Sequence, residues 1–438
     1  MQYLGTDSSG AYHTLEAPIA RQLFGVIGVL IAVELLVTLL VSRYRVDGIL
    51  AVSMPTFLLL TVGCIYQAFV SPPSLSLKHY HTVYVGFIAM ILGVILAQCG
   101  ALFPERNRSK ALRGLLDTAA IFTSISTIYG FIFRVNGSGA YFLNITPGEF
   151  YKVFVLAFLA IALVPMQQDK ALRRRFLLLM LLMSISLIVL RSLGDAAVLT
   201  VIALLIVLQC TGIKAFLVAA AATAGTALAG YRLMAAIHPN NYLVNRLTDT
   251  FTAATDPSAN ANLRRALLGI LLRGLGGSGT GDTRYVTVNF AVETDYVFAG
   301  TIAIFGVCLS LLVVTAFICL GLGLRMRAHS CQDSALYSFS TLVAILLMLQ
   351  AVIHISCNLN LLPFTGICFP FLSRGGSNMC ASMMAIGLAV GRRINAEERI
   401  WGALARPFAA LFAKTDDLCN RVACFVTSLL HNRKEIDP

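Results

Sequence analysis

The chain has 438 residues, of which 58% are apolar and only 12% charged, about half the globular share of roughly 25%. Too little charge remains to cover a water-facing surface of that size, which excludes a set of ordinary soluble domains. The 33 Lys and Arg against 21 Asp and Glu give a net charge of +12, but a mean hydropathy of +0.80 sets nucleic acid aside as a partner and leaves the membrane.

A helix needs about 20 apolar residues to cross the hydrocarbon core. In chain order, that length predicts spans near 22–42, 49–70, 80–104, 115–134, 150–166, 175–192, 195–211, 214–235, 296–324, 336–360 and 366–391. The last contains a Pro370-Phe-Leu-Ser-Arg-Gly-Gly376 break. The fold class is therefore an all-α polytopic membrane protein. The first 21 residues are polar and the first apolar run is long enough to stay in the bilayer, so no cleavable signal peptide is expected.

Lys and Arg are not shared evenly between the two sets of connections. One set carries Arg43 and Arg45, then Arg106, Arg108, Lys110 and Arg113, then Lys170 with Arg173 to Arg175, then Lys214, then Arg325 and Arg327. The other short loops hold isolated residues such as Lys78, Arg134, Arg191 and Arg374. The positive-inside rule places the first set in the cytoplasm of a bacterial inner-membrane protein, with the N-terminus outside and the C-terminus inside. An odd number of spans follows.

Two segments fall outside the spans. Residues 237–295 form a long extracellular connection, in which Ala261 to Leu272 is apolar enough to re-enter the membrane. Loops of this length without obvious structure are uncommon and often functional. The basic tail 394–438 begins with apolar residues at helical spacing (Ile400, Leu404, Phe408, Leu411) and is expected to lie on the cytoplasmic surface as an amphipathic helix. Eleven scattered cysteines show no metal spacing and are expected to serve mostly in packing.

Four stretches in order resemble one family. Asn360-Leu-Leu-Pro-Phe-Thr-Gly-Ile-Cys-Phe-Pro-Phe-Leu-Ser-Arg-Gly-Gly-Ser377 is similar to a signature of the SEDS proteins (shape, elongation, division and sporulation), the RodA and FtsW type. Thr146-Pro-Gly-Glu-Phe-Tyr-Lys152 resembles the family's Gln-Pro-Ser-Glu-x-x-Lys helix entrance. Arg264-Arg-Ala-Leu-Leu-Gly-Ile270 followed by Gly274-Leu-Gly-Gly-Ser-Gly279 resembles its glycine-rich extracellular segment. Glu293-Thr-Asp-Tyr-Val-Phe-Ala299 resembles its His-Thr-Asp-Phe-Ile-Phe-Ala block. The resemblance covers residues 49–393 and implies a ten-helix core. Residues 1–48 are left as an extracellular N-terminus with one extra transmembrane helix.

The resemblance also implies a peptidoglycan glycosyltransferase that polymerises lipid II, an undecaprenyl-pyrophosphate-linked substrate, beside a class B penicillin-binding protein and among membrane lipids. It maps the family's essential carboxylate to Asp295 and the helix-entrance pair to Glu149 and Lys152. The chemistry agrees: attack by a sugar hydroxyl needs a base, and a pyrophosphate leaving group needs cations. Arg246, Arg264, Arg265 and Arg273 are the candidates to bind pyrophosphate; a solvated loop face is the plainer account of each. Likewise Asp295 suits a helix N-terminus capped by Thr294, Glu149 and Lys152 a local ion pair, and Arg191 and Arg374 snorkelling at helix ends.

The match is incomplete. The Pro-Glu before the Thr-Asp block is Phe290-Ala291 here, and a Glu-Glu pair after it aligns with Ala303-Ile304. The Pro-Asp-Leu-Gly-Thr motif appears as Arg191-Ser-Leu-Gly-Asp195, and Thr146 and Gly148 replace Gln and Ser. A divalent cation stays open as a cofactor. Two other readings also stay open: a lipid-linked precursor transporter, which predicts repeats and broken helices at the midplane, and a non-catalytic scaffold for a penicillin-binding protein.

Overall fold

A computed structural model describes residues 4–6, 12–14, 17–44, 48–71, 73–99, 108–133, 146–190, 192–237, 244, 276–277, 291–329, 334–359, 361–362 and 365–391. Among them, eleven helices follow one another: α1 (Ala17–Tyr44), α2 (Ile49–Val70), α3 (Pro73–Cys99), α4 (Arg108–Ile132), α5 (Pro147–Gln168), α6 (Lys170–Val189), α7 (Leu193–Thr211), α8 (Ile213–Ile237), α9 (Val297–His329), α10 (Ser334–Asn358) and α11 (Gly376–Val390). Seven of these are long and apolar enough to cross a membrane, and the chain is a multi-pass membrane protein. A two-stranded addition to the all-α plan precedes them: β1 (Leu4–Thr6) and β2 (Tyr12–Thr14) pair antiparallel, Leu4 opposite Thr14.

Four helices, α1, α3, α4 and α6, begin five or more residues before the apolar runs that predict them. Hydropathy stops at the first charged residue, whereas a helix continues through it if its first amides are satisfied. The Asp169 side chain accepts from the amides of Ala171 and Leu172 at 2.9 and 3.0 Å, and so starts α6 among its basic residues. Proline at the first position of α3 suits a helix start for the same reason. The last predicted span is corrected at its beginning: residues 365–375 are not helical, and α11 starts only at Gly376. Pro370 and the left-handed Phe371 (φ 67°) break the run.

The helices pack around a core of apolar side chains that includes Leu59, Leu60, Phe158, Phe176, Leu347 and Phe369. One close crossing joins α3 and α11, where a Cβ on Gly387 would stand 2.0 Å from the Met90 carbonyl oxygen and one on Gly93 2.4 Å from that of Met384. Small residues at such crossings allow backbone approach in lipid, where apolar burial alone gives little drive. Outward faces carry Ile88, Ile91, Ile121, Ile125, Leu311 and Leu322, the surface a hydrocarbon solvent requires.

Helix α9 is broken at Gly306 (φ 83°), and Gly277 of the long loop lies against the break. A Cβ on Gly277 would stand 2.4 Å from the Gly306 amide nitrogen. Gly306 lies nine residues after the start of α9, about 14 Å along its axis at 1.5 Å per residue. Gly277 therefore lies well down the bundle. The re-entrant segment expected at Ala261 to Leu272 and the amphipathic tail 394–438 lie outside the described residues.

Because consecutive helices alternate in direction, one end of the bundle gathers the C-terminal ends of α2 and α10 with the N-terminal ends of α5, α7, α9 and α11. The opposite end holds Arg113, Lys170, Arg173, Arg175, Lys214, Arg325 and Arg327, including the ion pair Arg113–Asp169 at 2.6 Å.

Candidate active site

At the first of these ends, Glu149 occupies the first turn of α5, where a carboxylate is favoured by the helix dipole. Lys152 follows one turn later. Its Nζ lies 2.8 Å from Glu149 Oε2 and 2.7 Å from Asp195 Oδ1, Asp195 being in the first turn of α7. The three side chains are 1%, 7% and 7% exposed, so none is solvated. A charge this deep is tolerated only when paired and hydrogen-bonded. Two further bonds support the carboxylates: Asn378 of α11 donates to Glu149 Oε2 at 2.9 Å, and Ser192 donates to Asp195 Oδ2 at 2.8 Å. The Thr146 amide donates to Ser377 Oγ at 2.9 Å and ties the start of α5 to α11.

Glu149 and Lys152, for which a local ion pair is the plainer account, thus belong to a three-residue cluster that, with Asn378, joins three helices. Asp195 is the member the sequence reading missed. It stood in plain view as an ionisable residue at the start of an apolar span, itself a functional signal, but within a motif read only as a departure.

Asp295 sits just before α9, half-buried. Its own amide and those of Thr294 and Tyr296 converge on the Ala291 carbonyl oxygen at 2.8 to 3.2 Å. Thr294 Oγ1 donates to that same oxygen at 3.4 Å, so the hydroxyl closes the turn instead of accepting from a helix amide as a cap would. The turn is gripped through its backbone from several sides. Tyr66 Oη donates to the Val292 carbonyl at 2.8 Å and Gln67 Nε2 to that of Glu293 at 2.9 Å. Ser373 Oγ donates to Thr294 O at 2.7 Å, and Asn358 Nδ2 to Asp295 O at 3.0 Å. Ala291 (φ 58°) and Phe371 (φ 67°) are the two non-glycine residues with left-handed backbone among the described ones. Both lie in the two loops that meet here, which is where backbone strain collects at functional sites.

Arg374 is also corrected. It does not simply snorkel: its guanidinium pairs with Glu293 Oε2 at 2.8 Å and its amide donates to the Glu293 carbonyl at 2.9 Å. Cys368 lies on the segment that joins the two halves of the site, where Ser373 bonds the Thr294 carbonyl and Asn378 bonds Glu149. Burial pushes its thiol up first, and the neighbouring carboxylates of Glu149, Asp295 and Asp195 add to that shift. The turn bearing Asp295 and the Lys152 cluster are therefore held by one segment.

Arg246, Arg264, Arg265, Arg273 and Arg191 lie outside the described residues. His354 is structural: its Nδ1 donates to the Ile367 carbonyl at 2.7 Å and its ring stacks on Phe369 at 4.7 Å. The described residues do not fit a divalent cation. No group of three or more His, Cys, Asp and Glu converges among them, the Lys152 ammonium already lies between Glu149 and Asp195, and Ala303 and Ile304 are buried and apolar.

The family model of the FtsW, RodA and SpoVE cell cycle proteins matches residues 51–399. The chain belongs to this family. Helix α1 lies wholly before the matched residues. Among curated relatives, the probable peptidoglycan glycosyltransferase FtsW of Thioalkalivibrio sp. (strain K90mix) is 31% identical over 34% of this chain and 38% of its own length. The stage V sporulation protein E of Bacillus subtilis (strain 168) is 28% identical over 58% of this chain and 69% of its own. The chain thus matches well under half the length of the first relative. Two solved structures share the family's fold. One is a chain of a peptidoglycan synthase complex, with TM-score 0.59, 21% identity, and 77% of this chain and 95% of that one covered. The other is the rod shape determining protein RodA of Thermus thermophilus, with TM-score 0.53, 18% identity, and 78% and 94% covered.

Proposed function

We propose that this family member is a peptidoglycan glycosyltransferase that polymerises lipid II into glycan strands on the outer face of a bacterial inner membrane. The observation that carries the reading is that one segment, residues 365–378, holds both the turn bearing Asp295 and the buried Glu149–Lys152–Asp195 cluster: Ser373 bonds the Thr294 carbonyl, and Asn378 bonds Glu149. The relatives named as probable peptidoglycan glycosyltransferases support it.

In this mechanism Asp295 accepts the proton of the acceptor sugar hydroxyl as that oxygen attacks the anomeric carbon of the growing chain, and the bond to undecaprenyl pyrophosphate breaks. A base must be fixed to within a fraction of an ångström of its proton, and the backbone clamps on residues 292–295 supply that fixity. Lys152 presents a charge that its two carboxylates hold in place. The loop arginines Arg246, Arg264, Arg265 and Arg273 neutralise the departing pyrophosphate. Residues 49–393 are the synthetic core, residues 1–48 add an extracellular N-terminus and a transmembrane helix, and 394–438 lie on the cytoplasmic surface. The partner is a class B penicillin-binding protein.

Purified protein, with and without such a partner, should convert lipid II into glycan strands. Absence of strands under every partner condition, with the protein folded, would favour the scaffold reading; movement of lipid II between leaflets without polymerisation would favour the transporter.

A further inference from the structure

Gly148 has no side chain at the point where Asp195 enters the cluster. A Cβ there would stand 2.6 Å from Asp195 Oδ2 and 2.9 Å from Leu187 Cδ2. The first of these is not a loose chain end that can move aside. Oδ2 is held by Ser192 Oγ at 2.8 Å, while Oδ1 of the same carboxylate is held by Lys152 at 2.7 Å. Three positions therefore meet within one small volume: 148, 192 and 195. They are also positions at which the two quoted motifs depart from their pattern, with Gly for Ser at 148, Ser for Asp at 192 and Asp for Thr at 195.

Ser192 and Asp195 lie three apart, one residue before α7 and in its first turn, and their side-chain oxygens touch. A carboxylate at 192 would thus reach the space that the Asp195 carboxylate fills. Two carboxylates there at once would repel each other, and a side chain at 148 would exclude the one at 195.

We propose that these departures are one coupled relocation: the carboxylate that steadies Lys152 has moved one helical turn, from position 192 to Asp195, and Gly148 is the opening that admits it. Asp195 is then a positioning residue that acts through Lys152. The cluster keeps its charge, and the broken motif is a rearranged site. The turnover readout below rests on the proposed glycosyltransferase activity; the melting readout does not.

The test compares Gly148→Ser, Asp195→Thr, Gly148→Ser/Asp195→Thr and the triple variant Gly148→Ser/Ser192→Asp/Asp195→Thr in purified full-length protein. Asp195→Thr should lose about 10-fold or more in kcat with little change in KM, the effect of a misplaced group. The triple variant should recover most of that loss. In thermal unfolding, Gly148→Ser should lower the midpoint in the wild-type background and much less in the Asp195→Thr background, the non-additivity of a direct contact. Equal midpoint shifts in both backgrounds, or a triple variant no more active than Asp195→Thr, overturns the relocation. Wild-type protein inert toward lipid II would sink the glycosyltransferase reading instead, and the melting cycle would then decide the coupling alone.

Discussion

Asn358, at the C-terminal end of α10, donates its side-chain amide to the backbone carbonyl of Asp295 at 3.0 Å. Its Oδ1 accepts from the Ala299 amide at 3.0 Å, so one buried side chain fixes the entry to α9. Position is thus imposed through the main chain of residue 295, whatever the state of its carboxylate.

Asn358→Leu removes both bonds and leaves two backbone groups without their partner. A buried polar group left unsatisfied costs about 1–3 kcal/mol. The expected outcome is a folded protein with a lowered unfolding midpoint and turnover reduced about 10-fold or more, because the turn bearing Asp295 loses its register. Unchanged glycan synthesis from lipid II by Asn358→Leu would show that the clamp is not used.

The Lys152 cluster makes a prediction about order. Glu149→Gln leaves the ammonium paired with Asp195, whereas Lys152→Met leaves two buried carboxylates facing each other. Breaking a buried pair by removing one partner costs about 3–5 kcal/mol, and Lys152→Met should reach that range while Glu149→Gln falls below it. Unfolding midpoints in detergent check the order. Glu149→Gln should still depress turnover, and full activity in it would confine the pair to structure.

Much of this arrangement was legible in the sequence, and the illegible part has a common cause. Apolar runs marked every described helix, and the spacing of Glu149 and Lys152 put them on one face of α5. Asp295 was readable as a carboxylate at a helix entrance. What no local pattern carries is the identity of a distant partner. Gln67, Asn358 and Asn378 in apolar helices announce that partners exist, but their bonds to Glu293, Asp295 and Glu149 span 63 or more residues. Arg374 looked like a snorkelling cation for the same reason, its partner Glu293 being in another loop. Asp195 was hidden by comparison with a motif that places the acid elsewhere.

At the opposite end of the bundle, Asp169 gives a pH dependence. Its amide bonds from Leu172 and Ala171, with Arg113 at 2.6 Å, hold its carboxyl down at about 2. A carboxylate depressed in the folded state contributes stability that is complete above its ordinary value of about 3.9 and is lost as pH falls through the folded value. Asp169→Asn can still cap α6 but does not titrate. The difference in unfolding midpoint between wild type and Asp169→Asn should therefore be constant near neutrality, shrink below about pH 4, and weaken with salt because the group is exposed. A difference unchanged down to about pH 2 contradicts the account.

Orientation is tested by the uneven Lys and Arg distribution. With the active-site end outside, a membrane-impermeant thiol reagent added to whole cells should label Ser258→Cys and spare Ser330→Cys on a cysteine-free background. The reverse pattern would turn the bundle over and put the proposed chemistry on the wrong face of the membrane.

The central claim is that Asp295 takes the proton of the acceptor hydroxyl. Asp295→Asn keeps the size of the side chain and leaves the backbone grips from Asn358, Ser373 and Gln67 on residues 293–295 in place, but it cannot accept that proton. The decisive measurement is glycan-strand synthesis from lipid II by purified Asp295→Asn beside wild type at matched folding. A loss of at least about 100-fold in rate, the scale of general-base removal, with an unfolding midpoint close to wild type, is the predicted result. Near-normal strands from Asp295→Asn would contradict it.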